Sequence, residues 1–194
     1  MDNQKALEIV SYKLGLKQGQ EALEDPVLLP EVIQQAIKDK ENLEPKNFGL
    51  REYMDATKIV NTLRLEHDRV VGNEWIAQKA AELGLETTES GIAYKAVTIG
   101  KGKECWEGCT VRVHYTGKLM DGTVFDSSYD RGEAAVFPQN AVIEGWQEGL
   151  KLMTVGSKYH FYIPENLAYG DRGAGSDIPP YAALFFEVEL LSVL

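Results

Sequence analysis

Hydrophobic positions recur with two different periods along this chain of 194 residues, and the change falls near Gly84. Before it the period is helical. Between Lys5 and Leu23, Leu7, Val10, Leu14 and Leu16 recur at roughly helical spacing. Gly15 and Gly19 lie four residues apart on the same stretch, a spacing that lets two helices approach closely. Asp25-Pro26 breaks this helix. A second is predicted from Pro30 to Leu43, with Val32, Ile33, Ala36 and Ile37 as its apolar face. Pro30 suits a first helical position, where its missing N–H costs nothing, and Pro45 ends the helix. From Phe48 to Leu83 there is no proline and one interior glycine, Gly72. The apolar stripe is thin (Leu50, Met54, Val60, Leu63, Val70, Val71, Trp75), and Arg51, Glu52, Lys58, Arg64, Glu66, Asp68, Glu74 and Lys79 fill the other faces. A helix this polar reads as a solvent-bridging spacer. At 1.5 Å per residue, roughly 36 residues would reach about 54 Å.

Gly84 ends that helix, as glycine past a C-terminus often does. From Thr87 the period becomes two. Ile92, Tyr94, Ala96 and Val97 begin strand-like text, and Val111, Val113 and Tyr115 alternate with polar neighbours. Asp121-Gly122 is a hairpin turn leading into Thr123-Val124-Phe125. Val142 to Met153 is a short helix with Ile143, Trp146 and Leu150 on one face. Ser157 to Ile163 is a strand stopped by Pro164. In Ala183 to Val193, Leu184, Phe186, Val188 and Leu190 oppose Glu187 and Glu189. The expected class is α+β: N-terminal helices, a long linker helix, then an antiparallel sheet with one face on a core, around one short helix. Two short helices cannot bury a sizeable core alone, and self-association is the common remedy. The first ~45 residues are therefore expected to form a homodimer, the alternative being a loose helical cap on the C-terminal domain. The predicted division is 1–45 for dimerisation, 46–85 for the linker helix and 86–194 for the sheet domain.

Composition narrows the function by exclusion. The net charge of −10 and pI of about 4.8 argue against nucleic acid, which calls for clustered Lys and Arg. No apolar run approaches the ~18–20 residues of a membrane span. The start, Met1-Asp2-Asn3-Gln4-Lys5, has no apolar signal region, so the expected location is cytoplasmic, or periplasmic if the start has been trimmed. His67, His114 and His160 show no metal spacing, and neither a Gly-x-Ser-x-Gly elbow nor a phosphate-binding glycine loop occurs. Asp126 beside Ser127 and Ser128 reads first as turn chemistry. Cys105 and Cys109 miss the two-residue redox spacing by one; reduced thiols, a local disulfide and a metal pair all stay open, the first being the ordinary case. No cofactor is expected. What stands out is aromatic residues near turns: Tyr115, Phe125, Trp146, Tyr169 and Phe186. They read either as a plain aromatic core or as a shallow apolar pocket with a few polar groups at its rim.

Val113-His114-Tyr115-Thr116-Gly117 followed by Asp121-Gly122-Thr123-Val124-Phe125-Asp126-Ser127-Ser128 resembles the first signature of the FK506-binding proteins. Val142-Ile143-x-Gly145-Trp146, Met153-x-Val155-Gly156, Ala168-Tyr169-Gly170, Ile178-Pro179-Pro180 and the closing Leu184-to-Leu191 segment follow in that family's order. Each piece alone is weak, but together over about a hundred residues they are specific. Ser11-Tyr12-x-Leu14-Gly15-Leu16-x-x-Gly19-Gln20 more loosely resembles the opening of the bacterial 22-kDa FK506-binding and macrophage-infectivity-potentiator type, whose short helices interlock as a dimer.

The resemblance implies a five- to six-stranded sheet curled around one helix, and a peptidyl-prolyl cis–trans isomerase acting on proline-containing, folding polypeptides, with chaperone activity as a V-shaped homodimer. It implies a pocket with Tyr115, Asp126, Tyr169 and Phe186 in catalytic roles and Phe125, Arg131, Phe137, Val142, Ile143, Trp146 and Ile178 binding substrate. In that family pattern Trp146 is the floor under the proline ring, the Ile143 N–H and the Tyr169 hydroxyl donate to substrate carbonyls, and Asp126 is held by Tyr115 and Arg131. It extends to binding of FK506 and rapamycin, with three departures at the rim: Ala135 where a bulky aromatic often sits, Ala174 where a histidine often sits, and Asp177 in place of an aliphatic residue.

Overall fold

The computed structural model describes residues 1–41 and 46–194, with only the backbone of 19–21 and 37–41. The expected helix end at Leu43, the stop at Pro45 and the apolar contact of Ile37 lie outside the described residues. The chain divides into two compact units, Met1–His67 and Asp68–Leu194.

The first unit holds α1 (Asn3–Gln18), a 3₁₀ stretch (Gly19–Glu24), α2 (Pro30–Glu41) and the first part of α3 (Leu50–Leu83). Ala6, Ile9, Val10, Ala22, Leu28, Ile33, Ala56 and Val60 form its core. Small residues set how closely α1 and α2 approach: a Cβ on Gly15 would lie 2.9 Å from the Cβ of Ala36 and the carbonyl oxygen of Ile33. The Ser11 hydroxyl accepts a hydrogen bond from the Leu29 N–H at 2.9 Å, and Arg64 pairs with Asp25.

Only part of the stripe expected along α3 is buried. Leu50, Met54 and Val70 are exposed, whereas Val60 is buried in the first unit beside Ala56, which the stripe omits, and Trp75 packs in the second beside the buried Ile76. The helix packs two separate cores at different points along its length, so no single stripe fits.

The second unit is an antiparallel sheet: β1 (Glu86–Thr87), β2 (Ala93–Thr98), β3 (Thr110–Lys118), β4 (Val124–Ser127), β5 (Ala135–Pro138), β6 (Lys158–Ile163) and β7 (Leu184–Val193). Their order is β1-β2-β6-β7-β3-β4, with β5 also paired to β3. The sheet has seven strands where the resemblance implied five or six, the shortest being β1, with two residues. Alternation decides which face is inside: Leu184, Phe186, Val188 and Leu190 of β7 join Val111, Val113 and Tyr115 of β3 and Phe161 and Ile163 of β6 in one buried cluster. The short helix α4 (Glu144–Gly149) lies in this concavity, with Trp146 and Leu150 in the same cluster. Close packing of α4 on the sheet needs glycine, since a Cβ on Gly149 would meet the Phe161 ring at 2.9 Å.

The opposite side of the sheet is covered as well. Ile76 of α3 is buried with Ala93, Tyr162 and Ala183, and Trp75 packs on Tyr162 with ring centroids 5.3 Å apart. The second compact unit begins at Asp68, because the last turns of α3 complete its outer core.

Candidate active site

Strand β3 and the turn after β4 set the polar edge of the site. The Ser128 hydroxyl accepts from the Tyr115 N–H at 2.8 Å, and the Ser128 N–H donates to the Tyr115 carbonyl at 3.0 Å. These bonds hold the two segments in register, so that the Tyr115 hydroxyl donates to Asp126 Oδ2. Asp126 Oδ1 pairs with Arg131, whose Nη2 also donates to the Tyr115 hydroxyl at 3.1 Å. Arg131 lies 5.6 Å from the Tyr115 ring centre, within cation–π range. Burial, then the hydrogen bond to Asp126, pushes the Tyr115 hydroxyl above its ordinary pKa, with Arg131 pulling the other way. The carboxylate is thus gripped on both oxygens.

The apolar part is built around Trp146. The Trp146 backbone N–H donates to the Ile143 carbonyl at 2.9 Å in the first turn of α4, which places the indole beneath the sheet. Three rings stand nearly perpendicular to the indole: Tyr115 at 5.1 Å and 88°, Phe186 at 5.4 Å and 82°, Phe137 at 6.0 Å and 87°. Edge-to-face packing of this kind is the favoured geometry for aromatic pairs. Phe125 meets Phe186 edge-on at 5.6 Å. Above the indole remains an open cavity of about 280 Å³, lined by these residues with Asp126, Ala141, Val142, Ile143 and Tyr169. Of the two readings open for the aromatics, a pocket matches this geometry and a sealed core does not.

Gly117 keeps two of these walls in place. It pairs with Phe186 across β7 and with Asp126 across β4. A Cβ there would lie 2.6 Å from the Phe125 ring and 2.8 Å from that of Phe186, closer than such atoms pack. Nothing in sequence spacing marks this role, nor the lining role of Ala141, whose small side chain carries no signal.

Two predicted site residues stand off the cavity wall. Arg131 reaches it through Asp126, and Ile178 is buried in the adjoining core, exchanging backbone hydrogen bonds with Ala174 at 2.8 and 3.1 Å. Tyr169 is 38% exposed at the rim, and burial of its hydroxyl, then the charge of Asp126, raises its pKa. Neither this hydroxyl nor the Ile143 N–H donates to another described residue. The Trp146 indole nitrogen is buried without a hydrogen-bond partner among the described residues.

No activated nucleophile lines the cavity among the described residues. His114 Nδ1 lies 3.0 Å from the Ser128 hydroxyl, a pairing that suggests a nucleophile, but that hydroxyl is fully buried and already bonded to both backbone groups of Tyr115. The His114 ring stacks on Tyr129 at 4.6 Å, and neither His114 nor Ser128 lines the cavity. Among the described residues no group of three or more His, Cys, Asp and Glu side chains could hold a metal ion, and no helix is long and apolar enough to cross a membrane.

Comparison with known proteins follows the same lines. The family described as FKBP-type peptidyl-prolyl cis-trans isomerase matches residues 102–191. The chain is 45% identical over 193 residues to the FKBP-type 22 kDa peptidyl-prolyl cis-trans isomerase of Escherichia coli K12, covering 95% of this chain and 94% of that protein. It is 53% identical over 122 residues to the isomerase FkpA of Aeromonas hydrophila, 63% of this chain and 45% of that one. The crystal structure of FkpA from Escherichia coli is similar with a TM-score of 0.65 at 34% identity, covering 93% of this chain and 88% of that one.

Proposed function

This chain belongs to the FKBP-type peptidyl-prolyl cis-trans isomerases, and from that membership we propose that the cavity over Trp146 is where it turns X–Pro bonds. The observation that carries the reading is the aromatic box itself: an indole floor with three perpendicular rings, a gripped carboxylate on one side and, at the rim, two donors without a partner among the described residues.

Rotation about a peptide bond faces a barrier of about 18–20 kcal/mol, which comes from amide resonance. X–Pro bonds interconvert in tens to hundreds of seconds, slow enough to limit folding. The planar ground state is more polar than the twisted transition state. A site with apolar walls therefore favours the twisted form over the flat one, which is catalysis by differential binding with no covalent intermediate. The proline ring sits on Trp146 between Tyr115, Phe125 and Phe186. The Ile143 N–H and the Tyr169 hydroxyl hold the flanking carbonyls, which fixes the axis of rotation. Asp126, locked by Tyr115 and Arg131, accepts a hydrogen bond beside the twisting amide. Each ~1.4 kcal/mol gained this way shortens the step tenfold.

The substrates are proline-containing segments of folding polypeptides. FK506 and rapamycin would compete for the same cavity, with Ala135, Ala174 and Asp177 setting how well they fit. Residues 86–194, with the end of α3, form the catalytic module; the helices of 1–45 join two copies, and 46–85 links them. The small core of the helical unit supports that assembly, since few apolar residues are buried within one chain. Two catalytic arms on one dimer would grip an unfolded client, the basis of a chaperone activity. A protease-coupled assay on a proline peptide tests the catalytic reading: acceleration above buffer at micromolar protein is expected, and none would overturn it.

A further inference from the structure

The cavity leaves the chain's two cysteines unused. Cys105 and Cys109 flank a surface turn, in which the Cys109 N–H donates to the Trp106 carbonyl at 3.1 Å while Trp106, Glu107 and Gly108 are exposed. Both cysteine side chains are buried, at 5% and 2% exposure, and both belong to the main core cluster. Their sulfur atoms lie 2.6 Å apart. A turn that points two thiols at each other inside a core is arranged for one partner each. No third ligand joins them, because the described residues hold no group of three metal-binding side chains.

We propose that Cys105 and Cys109 are a thiol–disulfide exchange site, closed by a small disulfide of the glutathione class. When the exposed turn 106–108 opens, one cysteine thiolate attacks a sulfur of the small disulfide and expels one small thiol, leaving a mixed disulfide. The neighbouring thiolate then attacks the protein sulfur of that mixed disulfide, forms the Cys105–Cys109 bond and releases the second small thiol. The protein loses two thiol protons and two electrons, and the small disulfide gains both. Burial, then the contact with Cys109, pushes the Cys105 thiol up to about 12, so the exchange quickens as pH rises.

The bond would fasten more than the turn. The Gly108 N–H donates to Gln139 Oε1 at 3.1 Å, and the Gln139 N–H donates to the Cys109 carbonyl at 2.8 Å. Gln139, itself buried, donates from Nε2 to the Gln147 carbonyl at 2.7 Å, and Gln147 Nε2 donates to the Val142 carbonyl at 2.8 Å. These bonds run from the cysteine turn through α4 to the segment carrying Ala141, Val142 and Ile143 along the cavity. The disulfide closes the base of that segment and raises its resistance to heat.

The test uses the intact chain, reduced, freed of reductant and incubated with oxidised glutathione at neutral and mildly alkaline pH. The sample is quenched in acid, unfolded, treated with a maleimide and weighed. The expected product carries no maleimide, is lighter by two hydrogens and melts about 2–4 °C higher or more, all reversed by dithiothreitol. Two maleimides, a retained glutathione adduct or a disulfide-linked pair of chains would overturn the proposal. So would an equal rise in melting temperature in a Cys109→Ser variant under the same oxidant.

Discussion

At the scale of single residues, the cavity depends on a few groups whose partners are fixed before any substrate arrives. Tyr115 and Arg131 hold both oxygens of Asp126, so the carboxylate needs no reorganisation. Tyr169 is the opposite case, with a hydroxyl at the rim and no hydrogen bond to a described residue. Replacing it by phenylalanine removes the hydroxyl proposed to donate to substrate and nothing from the core. We expect kcat/KM for a proline peptide to fall about 2- to 10-fold, the worth of one hydrogen bond, with the melting temperature unchanged. The tyrosines also set the response to alkali. Burial and then Glu189, which accepts from the Tyr129 hydroxyl at 2.9 Å, push Tyr129 up to about 12; Tyr115 and Tyr169 are raised as well. A raised phenol keeps its proton in the folded state where the unfolded chain loses it near pH 10. Its stabilising contribution is therefore complete below about pH 10 and is lost as pH rises toward 12. Thermal melts from pH 9 to pH 12 should show this loss, reduced in a Tyr129→Phe variant. The site hydroxyls should stay protonated up to pH 9, so ionisation of Tyr115 or Tyr169 should leave activity flat across neutral pH.

At the scale of elements, α4 and β7 bring the indole and its walls together, and α3 closes the other face of the sheet. Ile76 is the buried side chain that α3 adds there. Ile76→Ala should cost about 2–5 kcal/mol of stability, read by urea unfolding through signals of the sheet domain. Strands β3 and β7 were plain in the sequence because their apolar residues alternate over nine and ten residues. Strand β5 was not: Ala135–Pro138 has four residues and ends on proline, too little for a period. The stripe drawn along α3 held only in part, at Val60 and Trp75, for a different reason. The helix serves two cores, so alanines and isolated aliphatics bury while Leu50 and Met54 face water. The aromatic members of the cavity were legible through their motif, whereas the space that Gly117 leaves for Phe125 and Phe186 exists only in three dimensions.

At the scale of the whole molecule, a helical unit is followed by a sheet unit that carries the cavity. The helical unit's core is small, alanines and aliphatics with the buried Tyr12 beside them, which is little to hold a free-standing domain. Sedimentation of the intact chain should give a dimer at micromolar concentration, and a monomer there would remove the proposed assembly. The activity itself is assigned to one cavity in each chain, and magnetisation-exchange spectroscopy on a proline peptide tests that assignment most directly. A catalytic amount of the intact chain should produce cis–trans exchange peaks. A Trp146→Ala variant, its fold checked by circular dichroism, should lose at least tenfold in exchange rate, about 1.4 kcal/mol of transition-state stabilisation. A folded variant that exchanges the peptide as fast as the unaltered chain would contradict the account.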